Sequence, residues 1–162
     1  MIKMNPKKFK LPKEFAEKWI EALESGEYKQ GYSSLASTDV EWFDGEPLPP
    51  IEMCSFCCLG VAAKISGNSV EKLIGVEYIY SKKAYKGIPE ELITTESGID
   101  NTLVWTVSQL NDGVSCSTYL DEFETESYVF RIDVKQHFLE EDIFKLSFED
   151  IVNFIKNNVE FY

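Results

Sequence analysis

The sequence predicts a single α+β domain, with a helix at each end of the domain packed against a small antiparallel sheet. Three observations lead there. Apolar residues recur at helical spacing near both ends, the middle of the chain is irregular and carries only short strand-like stretches, and no alternation of strand and helix suggests a βαβ succession. The 162 residues, 44% of them hydrophobic and 14% aromatic, suit one domain that buries about two thirds of the surface of its unfolded chain. No repeat at solenoid periods and no low-complexity tract divides the chain.

The elements follow in order. Residues 1–12 read as a basic N-terminal arm and 13–162 as the domain. Lys13 to Ser25 places Phe15, Trp19, Ala22 and Leu23 on one helical face, with Pro12 before it and Gly26 after it as start and stop signals. Residues 26–53 are rich in Gly, Ser, Pro and Asp. Pro47-Leu48-Pro49-Pro50 excludes regular helix, because proline lacks the amide donor and restricts the residue before it. A long ordered loop is expected there, with a short strand near Val40 to Phe43; connections of this length are often functional.

From Phe56 to Ile65 the stripe Cys57, Cys58, Val61, Ala62 and Ile65 predicts a buried helix closed by Ser66-Gly67-Asn68. Gly60 inside it costs about 1 kcal/mol relative to alanine and marks a close backbone approach. Val76 to Ser81 reads as a strand, and Ile88 to Leu92 as one helical turn. Asp100 or Asn101 can cap a helix through Leu103, Val104, Val107 and Leu110 that stops at Asn111-Asp112-Gly113, although the β-branched content of the segment also allows a strand. Ser127 to Val134 alternates as a strand does. Ser147, three residues before Asp150, opens a terminal helix carrying Phe148, Ile151, Val152, Ile155 and Val159.

Charge narrows the partners. The net charge is −12, but residues 1–13 hold five lysines and no acid, leaving 11 basic against 28 acidic residues, a net −17, in the remainder. Such a body repels phosphates, so direct nucleic-acid binding is not expected and a protein partner is. The longest apolar run, Cys57 to Ala63, falls far short of the roughly 20 residues of a membrane span. With no signal-peptide pattern at the N-terminus, the expected location is the cytoplasm and the four cysteines are expected to be reduced.

Chemistry-bearing residues are few. Cys54 and Cys57 form a C-x-x-C pair that can chelate zinc or exchange thiols, and Cys58, Cys116 and the single His137 are the other candidate ligands. No second paired-ligand motif completes a site, and buried cysteine ordinarily packs as a small hydrophobe. No metal or cofactor is therefore assigned. The acidic runs Asp121 to Glu126 and Glu140 to Asp142 lack EF-hand spacing and read as solvated faces. The nine glycines form no phosphate-cradling motif.

Trp19-Ile20-Glu21-Ala22-Leu23-Glu24-Ser25-Gly26-Glu27-Tyr28-Lys29-Gln30-Gly31, then Cys57-Cys58-Leu59-Gly60-Val61, then Leu110-Asn111-Asp112-Gly113, resemble the ordered motifs of a group of short phage and phage-like bacterial proteins. The group has no assigned chemistry. The resemblance implies a phage-encoded accessory protein that binds a host protein of the defence or transcription machinery, in the cytoplasm of the infected cell. Two alternatives stand beside it: a small-ligand binder or enzyme using the region 28–58 with Cys57 or His137 reactive, and an acidic mimic of nucleic acid. Polar residues just beyond a helix gain little from a core, so Tyr28, Lys29, Gln30 and Gly31, with Trp42 further along the loop, are the candidate binding residues, while catalytic residues are not assigned.

Overall fold

The computed structural model describes residues 9–43, 45–76, 87–89, 92, 103–112, 114–115, 143–144 and 146–162. The strands expected at 76–81 and 127–134, the caps Asp100 and Asn101, Cys116, His137 and both acidic runs lie wholly or almost wholly outside them. In chain order the elements are β1 (Phe9–Leu11), α1 (Lys13–Glu24), β2 (Lys29–Gln30), β3 (Ala36–Thr38), a 3-10 turn (Ile51–Met53), β4 (Cys54–Phe56), α2 (Cys58–Ile65), α3 (Val70–Leu73), α4 (Leu103–Asp112), β5 (Val114–Ser115), β6 (Ile143–Phe144), α5 (Phe148–Asn158) and β7 (Val159–Phe161). The fold is α+β, with helices near both ends.

Helix α1 begins after Pro12 and ends where Gly26 turns left-handed at φ +79°, a conformation glycine adopts without the Cβ penalty. It buries Ala16, Trp19 and Leu23. Helix α2 is apolar almost all round and accordingly sits at the centre, Cys58 through Ala63 being buried. Four helices close a ring of contacts around this core: α1 packs on α2 and α5, and α4 packs on α2 and α5. Ser147 caps α5, its Oγ accepting from the Asp150 amide at 3.2 Å, as its spacing predicts.

Among the described residues three small sheets tie the helices together, and their pairing is mixed. Strand β4 is the middle strand of β2-β4-β3, parallel to β2 and antiparallel to β3 with Ala36 opposite Phe56 and Thr38 opposite Cys54. Strand β1 runs parallel to β7, Phe9 opposite Val159 and Leu11 opposite Phe161. Strands β5 and β6 pair antiparallel. The terminal pair is closed by the Lys13 amide donating to the Tyr162 carbonyl at 2.7 Å and the Tyr162 amide to the Leu11 carbonyl at 3.0 Å. The strand expected near Val40 to Phe43 forms earlier, at Ala36–Thr38, where one residue of three is fully buried against the core; 40–43 instead belong to the loop that crosses from β3 to the 3-10 turn.

Among the described residues no helix is long and apolar enough to cross a membrane.

Candidate functional site

Two places draw together the residues singled out in the sequence: a buried polar junction and an exposed loop. The junction forms where α1 delivers Trp19, β2 delivers Gln30, α2 begins and α4 ends. Asn111, at 0% exposure, is its centre. Its Oδ1 accepts from the Cys58 amide at 3.2 Å and from Gln30 Nε2 at 3.0 Å, while its Nδ2 donates to the Gly31 carbonyl and to Asp112 Oδ1, both at 2.9 Å. The amide orientation is dictated by its partners, since the Cys58 N–H can only donate and the Gly31 carbonyl can only accept. Every polar atom of a fully buried side chain is thus matched, as burial requires.

Gln30 extends the junction to α5. Its Nε2 also donates to the Leu146 carbonyl at 2.8 Å, and its Oε1 accepts from the Phe148 amide at 3.1 Å, one of the first amides of α5 and otherwise an orphan donor. Asp112 accepts from the Ser33 amide at 2.8 Å. That contact holds Ser33 at φ +72°, a left-handed conformation costing a non-glycine residue about 1–2 kcal/mol. Trp19 Nε1 donates to the Cys58 carbonyl at 2.9 Å. The three motifs that suggested a resemblance therefore meet at one point.

Two glycines are required there by contact. A Cβ on Gly31 would come within 2.8 Å of Ser55 Cβ. One on Gly60 would overlap the Leu35 carbonyl oxygen, which accepts from the Cys57 amide at 3.2 Å. This is the close backbone approach expected at Gly60.

The thiols are structural in their contacts. Cys57 is the N-cap of α2, its Sγ accepting from the Gly60 amide at 3.3 Å. Burial pushes its pKa up to about 12, outweighing the amide contacts that favour the thiolate. Burial raises Cys58 as well, with neighbouring Cys57 next in effect; its Sγ lies 3.6 Å from the Val107 carbonyl. Cys54 is buried, and desolvation, then Asp39 and Glu52, raise its pKa. A thiol held neutral is a poor nucleophile and a poor metal ligand. Among the described residues no three His, Cys, Asp or Glu side chains form a group able to hold a metal ion.

The five nominated binding residues separate. Gln30 and Gly31 belong to the junction. Tyr28 is half-buried, its ring edge-on to Phe56 at 5.3 Å between centroids; burial and then Glu27 raise its pKa. Lys29 is exposed and pairs with Asp39 at 2.8 Å. Trp42 lies in the second place, the loop Asp39 to Met53, with its Nε1 donating to the Glu46 carbonyl at 3.3 Å.

That loop leaves and re-enters the sheet at one neck. Strands β3 and β4 pair up to Thr38 and Cys54, and the Asp39 amide donates to the Met53 carbonyl at 2.7 Å. Of the seven large apolar side chains that stand well exposed among the described residues, six fall between Tyr32 and Met53: Tyr32, Val40, Phe43, Leu48, Ile51 and Met53, at 42–58% exposure. The same stretch, 39–53, contains Asp39, Glu41, Asp44, Glu46 and Glu52 and no basic residue. Sequence reasoning found Trp42 but not the exposed apolar set; the signal was there in the apolar residues interleaved with acids and prolines. It missed Asn111 and Asp112 as well, reading them as a turn, although a polar pair ending an apolar helix was the available sign.

No protein-family model, no curated protein and no solved structure matches this chain.

Proposed function

We propose that the chain is a stoichiometric protein-binding module, a phage-encoded accessory protein that engages a host protein through the loop Asp39 to Met53. The concentration of exposed apolar side chains on that loop carries the reading. Isolated surface apolar residues need no explanation, but a cluster rimmed by charge is the usual composition of an interaction site. The phage setting and the host partner rest on the sequence resemblance, and the acidic body adds a long-range preference for basic proteins. The enzyme reading finds less support at Cys57, one of its two candidate reactive groups, which is a buried helix cap whose thiol is held neutral; His137, the other, lies outside the described residues.

The test is affinity capture from lysate of the bacterial host, with the wild-type chain and a Val40→Ser/Phe43→Ser/Met53→Ser variant as baits. A protein retained at equimolar ratio by the wild type and lost with the variant supports the proposal. Equal retention by both, or no specific retention, contradicts it.

A further inference from the structure

We propose that the binding core of this loop is Pro47-Leu48-Pro49-Pro50, presented as one turn of polyproline II helix to a partner domain whose groove is lined by aromatic side chains and rimmed by lysine or arginine. This rests on the binding role proposed for the loop. Proline fixes its own φ near −65° and drives the residue before it out of the α region. Glu46, Leu48 and Pro49 each precede a proline, so these three are biased towards extended backbone, while the rings of Pro47, Pro49 and Pro50 fix φ near the polyproline II value. Pro50 has φ −54° and ψ 151°, close to polyproline II values. With three residues per turn, Pro47 and Pro50 fall on the same edge, about 9 Å apart, and this is the P-x-x-P spacing that aromatic grooves read.

The turn is held at both ends and open between them. On one side the Glu46 amide donates to the Phe43 carbonyl at 3.1 Å and the Glu46 carbonyl accepts from Trp42. On the other, the Pro50 carbonyl accepts from the Met53 amide at 2.9 Å and lies 3.7 Å from Cys54 Sγ. Among the described residues the carbonyls of Pro47, Leu48 and Pro49 accept no hydrogen bond, leaving them for donors on a partner. Pro47, Leu48 and Pro50 are exposed. A segment fixed in its bound shape gives up little entropy on docking. Glu41, Glu46 and Glu52 are exposed on the same loop, and an acidic ligand selects a groove with a basic rim.

The experiment titrates the purified host protein captured by the wild-type chain against full-length wild type, Pro47→Ala/Pro50→Ala, Leu48→Ala and Phe43→Ser, with decaproline peptide as competitor. The expected result is at least tenfold weaker binding for the double-proline and Leu48 variants, competition by decaproline, and several-fold weakening as salt is raised. Binding of both proline-turn variants within twofold of wild type, with no competition, overturns the polyproline turn. If Phe43→Ser is then the variant that fails, the loop still binds by another face. If every variant binds as wild type does, or no protein is captured, the loop reading falls with it.

Discussion

Replacing Asn111 by alanine should cost about 2–6 kcal/mol. The side chain is fully buried and satisfies four groups. After its removal Gln30 Nε2 keeps the Leu146 carbonyl and Asp112 keeps the Ser33 amide. The Cys58 amide and the Gly31 carbonyl lose the partner Asn111 supplied. Each buried polar group so orphaned costs about 1–3 kcal/mol, which sets the range. A domain of this size is stable by only about 5–15 kcal/mol, and its melting temperature falls about 2–4 °C per kcal/mol. The middle of the range therefore predicts a drop of about 12 °C, read by circular dichroism, with the urea m-value unchanged. A double-mutant cycle with Gln30→Ala should show non-additivity of about 0.5–3 kcal/mol, as for residues sharing one network. A loss below about 1 kcal/mol for Asn111→Ala would show that the junction is hydrated or replaceable, and that Asn111 does not hold it together.

Other outcomes follow from single features. Gly60→Ala should destabilise by about 1–3 kcal/mol or more in urea denaturation, because the added methyl meets the fixed Leu35 carbonyl rather than a movable side chain; an unchanged midpoint would mean α2 shifts freely. Ser147→Ala should cost about 1 kcal/mol by loss of the α5 cap, and Ser147→Asp should recover most of it. Cys57 titrates near 9 when unfolded and near 12 when folded, so above pH 9 the unfolded chain binds fewer protons than the native one. Stability present below pH 9 should decline by up to about 1.4 kcal/mol per unit between pH 9 and 12 from this group, and Cys57→Ser should remove that contribution. A slope unchanged by the substitution would place its origin elsewhere.

What the sequence reveals and what it hides divide by distance along the chain. Helix α1 is legible because its stripe, its proline and Gly26 are all local, and α5 is legible through Ser147 and a clean apolar face. Gly60 announces a close approach without saying to what; Leu35 lies 25 residues away in an irregular segment. Asn111 shows the limit. Its sequence setting is a turn signal, and its partners Gln30, Gly31 and Cys58 lie 53 to 81 residues away, so only the folded chain reveals a junction. The β1–β7 pair is similarly hidden, since three-residue strands carry too little alternation to register and their parallel pairing joins opposite ends of the chain. In the loop, the prolines exclude helix from sequence alone, whereas the outward display of Phe43, Leu48 and Met53 depends on the neck formed by β3 and β4.

Gln30, Gly31, Cys58 and Asn111 of the motifs meet in the buried junction, whereas the exposed apolar side chains Val40, Phe43, Leu48, Ile51 and Met53 stand on the loop proposed to bind. The most direct test is one variant, Phe43→Ser/Met53→Ser, measured twice. Both side chains are well exposed, so thermal denaturation should match wild type within the roughly 0.5 kcal/mol typical of surface changes, while capture of the host protein is lost. Retained capture with an unchanged melting temperature would show that the loop Asp39 to Met53 is not the binding surface.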